Sequence, residues 1–174
     1  MRIWSPALLA ALIVAPSIAF AQDPTGEWLT EKGNAHIRIV DCGGVLWGVV
    51  SWESKLGHDI HNSDPSKRGL PTLGMPVLLH MKPGDDPGQW EGEVYNAQNG
   101  RTYDASIEIH DAGTLHVEGC ALGVLCGGED WTRLAQTEPP PAQSGDASGT
   151  TGARRAPASA SVADICAGIA GGTH

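Results

Sequence analysis

The sequence predicts an all-β chain: an antiparallel up-and-down barrel of about eight strands, followed by a disordered C-terminal tail. Three observations predict it. Between Thr25 and Leu134 apolar residues recur mostly at period two, and turn chemistry interrupts them every eight to twelve residues or so. The same stretch holds no amphipathic pattern long enough for a helix. Consecutive strands joined by short turns form a meander, and about eight of them close on themselves without leaving an edge, around an interior filled by side chains or by one small ligand. A sandwich is the other arrangement such strands allow.

The first strand spans residues 27–30 and ends at the Lys32-Gly33-Asn34 turn. The second, 35–41, puts Ala35, Ile37 and Ile39 on one face and His36 and Arg38 on the other, before Cys42-Gly43-Gly44 turns the chain. The third, 45–53, is apolar on both faces apart from Gly48 and Ser51, as for a strand covered on both sides or shared with a twin subunit. Residues 54–73 lack periodicity, and connections of that length are commonly functional or mobile. The fourth strand, 75–81, carries Pro76 near its start, where a missing N–H is tolerated. After the turn cluster 83–88, the fifth strand, 89–95, alternates Trp90, Gly92 and Val94 with Gln89, Glu91 and Glu93. Asn99-Gly100 turns into the sixth, 101–110, where Tyr103, Ala105, Ile107 and Ile109 share a face. Asp111-Ala112-Gly113 leads to the seventh, 114–120, with Leu115 and Val117 inward, and residues 129–134 close the set.

The ends read differently from the barrel. Residues 1–21 have the form of a signal peptide: Arg2, an apolar run, Pro16, then the Ala19-Phe20-Ala21 cleavage pattern. A barrel domain at 22–134 is therefore expected to be exported to the periplasm or secreted, where cysteines 42, 120, 126 and 166 can pair. From 135 to 174 the composition shifts to Pro, Ala, Ser, Gly and Thr, which buries too little apolar surface to fold. Within it, Val162, Ile165 and Ile169 stand at helical spacing around Cys166, a short stretch weakened by Gly168. The net charge of −9 argues against nucleic acid or an anionic membrane as the main partner, and no later segment is apolar enough to span a bilayer.

Several spaced motifs together resemble one family. They are Gly26-Glu27-Trp28, Asp41-Cys42-Gly43, Ser51-Trp52, the loop from Asn62 through Arg68 to Gly74, Tyr95-Asn96 with Gly100-Arg101-Thr102-Tyr103, the Gly119–Cys126 segment and Trp131-Thr132-Arg133. In this order they are similar to domain of unknown function 2147, a family of small exported bacterial proteins. The resemblance covers roughly residues 23–134 and implies a lipocalin-like (calycin) barrel in the cell envelope. It brings no catalytic residues. The family pattern has a second Cys five residues after the one matching Cys42; here that position is Trp47, so a local bridge across the Cys42 turn is impossible.

Chemistry is sparse. Cys120 and Cys126 enclose a short loop and, in an exported chain, are expected to form a disulfide that staples the last hairpin. Cys42 and Cys166 are left bridged to each other, free, or paired between chains. His58, Asp59, His61 and Asp64 offer metal-ligand types, but a solvated polar loop explains them as well; no metal site and no cofactor is expected. His36, His110 and His116 fall on outward faces. Candidate ligand contacts are Trp52 and Trp90 on strand faces, Arg68 in the long loop, and Tyr95, Asn96 and Tyr103 around a hairpin at one mouth of the barrel. Arg68 serves equally to bind an anionic group or to pin its loop to a carboxylate such as Asp64, and Asn96 also forms turns. Trp28, Trp52, Trp90 and Trp131 are expected to plug the interior, with Gly48, Gly92 and Ala105 leaving space beside them. The reading is a non-catalytic barrel binding a small apolar or amphipathic molecule; the alternative is a filled barrel serving as an interaction or structural module, for instance a homodimer.

Overall fold

A computed structural model describes residues 23–135 and 161–172. The signal-like segment and most of the Pro/Ala/Ser/Gly-rich stretch lie outside the described residues. The strands are β1 (Gly26–Leu29), β2 (Ala35–Asp41), β3 (Leu46–Glu53), β4 (Pro76–Pro83), β5 (Gln89–Asn96), β6 (Arg101–Asp111), β7 (Thr114–Ala121) and β8 (Leu125–Arg133). They form a closed antiparallel barrel in sequence order, with β8 returning to β1 through Trp28↔Arg133 and Leu29↔Thr132. The meander is thus a barrel and not a sandwich.

The interior follows the alternation in the sequence. Ile37 and Ile39, Ile107 and Ile109, and Leu115 and Val117 join Trp28, Leu78, Met81 and Trp131 in one core cluster. The strand that departs most from expectation is β8, which begins at Leu125 rather than Glu129. Cys120 stands directly opposite Cys126 in the ladder and is disulfide-bonded to it, so the pairing runs up to the bridge and carries Gly127 and Gly128 into the strand.

Two irregularities set the shape. Between β2 and β3 the register slips at His36/Ile37, so that Trp52 pairs with His36 on the outer face. Trp52 is therefore 43% exposed and stacked on His36 with ring centroids 4.5 Å apart, a correction to the expectation that it plugs the interior. In β4 the register slips again between Leu79 and Lys82, with His80 at φ 53 and its ring edge-on to Trp47 at 4.2 Å. Such bulges sharpen strand twist and help a sheet close. A Cβ on Gly92 would lie 2.5 Å from the Leu79 carbonyl and 2.7 Å from Met81 Sδ, so the bulge occupies the room that glycine leaves. Beside Gly48 the room is taken by Leu78, 2.9 Å from an added Cβ. Neither glycine creates a void, contrary to expectation.

The end of the tail also departs from the expected disorder. Val162–Ala170 is a helix, α1, opened by a capping box in which Ser161 and Asp164 bond each other's backbone N–H. A nine-residue helix is marginal alone; here Cys166 is disulfide-bonded to Cys42 and α1 packs against β2. Of the pairings open to Cys42 and Cys166, the structure takes the one that joins them. Ile165, Cys166 and Ile169 face inward, half-buried. Val40 on β2 is buried without belonging to the interior cluster, and α1 packs against that strand.

Candidate functional site

The strand parity that fills one end of the barrel leaves the other open. At the closed end the Trp28 side chain is fully buried and its Nε1–H donates to the Pro24 carbonyl at 2.8 Å. The Arg133 guanidinium lies 4.2 Å over the Trp28 ring and donates to the carbonyls of Asp23, Thr25 and Ala112. One cation therefore ties the last strand, the chain entering the first, and the β6–β7 turn.

At the opposite end, where β1 joins β2, β3 joins β4, β5 joins β6 and β7 joins β8, a cavity of about 830 Å³ opens to solvent. Its apolar wall includes Ile37, Val50, Val77, Val94, Val117 and Trp131. Three carboxylates also line it: Glu31, Glu129, which accepts from Trp131 Nε1, and Glu53, which accepts from Thr72 Oγ1 at 2.9 Å. Part of the room comes from Gly127, a glycine outside those expected to leave space. Gly127 pairs with Gly119 across β7 and β8; an added Cβ on Gly127 would meet nothing within 4 Å, whereas one on Gly119 would press on Val94 at 3.0 Å. Glycine inside a strand is the signal that marks such close approach or space.

The long connection, residues 54–73, forms the rim as a compact loop. His58 and Pro71 form a β-bridge, Asp59 N–H donates to Leu70 O, and Thr72 N–H to Gly57 O. Its anchor is Asp59, 1% exposed, whose carboxylate accepts from the Tyr95 hydroxyl at 2.8 Å and from Asn62 Nδ2. Burial first, then the hydrogen bond and charge of Asp59, pushes the Tyr95 hydroxyl up to about 12. The loop also rests on the β5–β6 hairpin: an added Cβ on Gly100, at φ 68, would overlap the His61 carbonyl. Asp64 accepts from the Ser66 hydroxyl and N–H, which holds its carboxyl below the usual range.

Of the residues expected to touch ligand, Tyr95, Asn96 and Tyr103 line the cavity. Asn96 is engaged as a turn former, its Oδ1 accepting from Gln98 N–H, and the Tyr103 hydroxyl accepts from Asn99 Nδ2. Trp90 packs against the core at the other end, beside Pro83 and Ile107, and Trp52 lies outside. Arg68 is exposed and donates through Nε to the Asn62 carbonyl, so it pins the loop through backbone and not through Asp64 as the sequence suggested. Asp59, expected in a solvated polar loop, is instead the loop's buried anchor. His36 stacks on Trp52, and His110 on His116, whose Nδ1 meets Asp130 at 2.7 Å, all outside the cavity lining. Glu118, Cys120 and Cys126 cluster within metal-ligand reach, but both sulfurs are consumed in the disulfide.

Residues 26–133 match the model of a family described as an uncharacterized protein conserved in bacteria, DUF2147. Among solved structures the fold is similar to that of protein HP1028 from Helicobacter pylori, described as belonging to the lipocalin family, with 18% identity and a TM-score of 0.59. The likeness covers 66% of this chain and 84% of that one. No curated protein matches.

Proposed function

This chain belongs to DUF2147, the uncharacterized bacterial family, and we propose that it is an exported, non-catalytic carrier of a small amphipathic molecule. The carrying observation is the open-ended cavity of about 830 Å³, within the range of roughly 300–1,000 Å³ typical of small-molecule sites. Its aliphatic and indole wall suits an apolar body, and Glu53 and Glu129 suit a head group that donates hydrogen bonds. Three carboxylates around the mouth are engaged as anchors: Asp59 with Tyr95, Glu53 with Thr72, Glu129 with Trp131. Export is supported by the two disulfides, which persist in oxidising compartments.

The test pairs native mass spectrometry of chain exported by a bacterial host with titration by the neutral amphipathic dye N-phenyl-1-naphthylamine. A stoichiometric co-purified compound, and saturable one-to-one dye binding that Gly127→Phe removes without lowering the melting temperature, are the expected results. Empty spectra together with no saturable dye binding would sink the carrier reading in favour of an interaction module.

A further inference from the structure

Among the described residues, five of the eight large apolar side chains that are exposed, Leu56, Ile60, Leu70, Leu122 and Val124, sit on two connections at the open end, and a sixth, Leu125, begins β8 beside them. The β7–β8 hairpin is the sharpest case, with Leu122 91%, Val124 78% and Leu125 71% exposed. From Gly119 to Gly128 it carries no charged residue, in a chain of net charge −9. Leu122 adopts φ 56 and Gly123 φ 68 in a turn closed by Val124 N–H onto the Ala121 carbonyl. That left-handed backbone suits Asn or Gly and is costly for a bulky side chain. A leucine that the turn disfavours and the core does not use points to a use outside the molecule.

We propose that this hairpin tip docks the barrel, mouth first, on the surface of an electrically neutral lipid bilayer. Leu125 and Ile60 also line the cavity, so apolar side chains lead from the tip to its mouth. The Cys120–Cys126 disulfide fixes the base of the tip, and docking therefore orders little new chain. Three protruding side chains supply far less than the roughly 800 Å² per partner that a stable protein interface buries, whereas a membrane interface takes up protruding apolar groups one by one. Glu118, Glu129 and Asp130 flank the tip, and their charge disfavours an anionic surface.

The experiment is flotation of the exported, disulfide-bonded chain with phosphatidylcholine vesicles. Wild type and the cavity-blocked Gly127→Phe should partition alike, so that docking is read separately from ligand carriage. Leu122→Asp with Val124→Asp should lower the partition coefficient at least tenfold, and added phosphatidylglycerol should weaken wild-type binding. Leu122→Asn controls for folding: asparagine suits the turn, so it should melt no lower than wild type and still bind vesicles several-fold less. Failure of the wild type to float, or equal flotation of the double Asp variant, would overturn the proposal. So would a wild-type dimer that Leu122→Asp converts to monomer, since the tip would then belong to a second copy.

Discussion

The closed end of the barrel buries Trp28 beneath Arg133, whose guanidinium spends its donors on three main-chain carbonyls, while the open end holds its long loop through one buried carboxylate, Asp59, and one phenol, Tyr95. Both ends are built from the same strands, with the slips in β2–β3 and β4–β5 shifting parity between them. A difference lies in what stands opposite three glycines, Gly48, Gly92 and Gly127. Toward the closed end Gly48 meets Leu78 and Gly92 meets Met81, so interdigitation leaves no space. Toward the open end Gly127 meets nothing, and the wall stays hollow. Close packing and open space thus fall at opposite ends of one small barrel.

The sharpest way to break that division is Trp28→Ala, which removes a fully buried indole and the ring under Arg133. A loss of about 3–5 kcal/mol is expected from the urea midpoint at constant slope, and a loss under 1 kcal/mol would move the stabilising centre elsewhere. Tyr95→Phe should cost less, about 1–3 kcal/mol, because it strips a donor from a buried carboxylate. Its mark should be local, with limited proteolysis cutting within residues 54–73 faster than in wild type.

Tyr95 also predicts an alkaline response. Its hydroxyl is raised from 10.0 to about 12 in the folded chain, so ionisation is easier once the chain unfolds. The stability it contributes is complete below pH 10 and is lost as pH rises toward 12. Melting temperatures across that window should fall in wild type more steeply than in Tyr95→Phe. Parallel curves would show that another group governs the alkaline limb.

The smallest effects come from a matched pair of glycines. Gly92→Ala forces a Cβ against the Leu79 carbonyl and Met81 Sδ and should cost about 1–3 kcal/mol by thermal melt. Gly127→Phe, turned into open space, should shift stability by no more than about 0.5 kcal/mol while abolishing dye binding. Equal sensitivity at the two positions would erase the distinction between filled and hollow ends.

Much of the fold was legible because a period-two pattern leaves little choice. Once Ile107 and Ile109 are inward, Glu108 and His110 must be outward, and β5, β6 and β7 follow the alternation read from the chain. Trp52 was misplaced because a one-residue slip at His36/Ile37 reverses parity, and the slip has no signature in β3 itself. The site was legible in part. Tyr95, Asn96 and Tyr103 border a recognisable hairpin and do reach the cavity, whereas Asp59 sits in a loop without periodicity, so nothing local marks it as buried.

The sequence by itself determined the strand count, the meander order, most of the inward faces and the Cys120–Cys126 bridge, because each rests on contacts between near neighbours in the chain, whereas closure rests on β8 meeting β1. Only the tertiary structure decided which glycines face empty space, which carboxylate anchors the loop, and that Cys166 reaches Cys42 across 124 residues to hold α1 against β2. Those outcomes depend on which distant side chains meet after closure. Strand periodicity records the face a residue takes and not the partner it finds there.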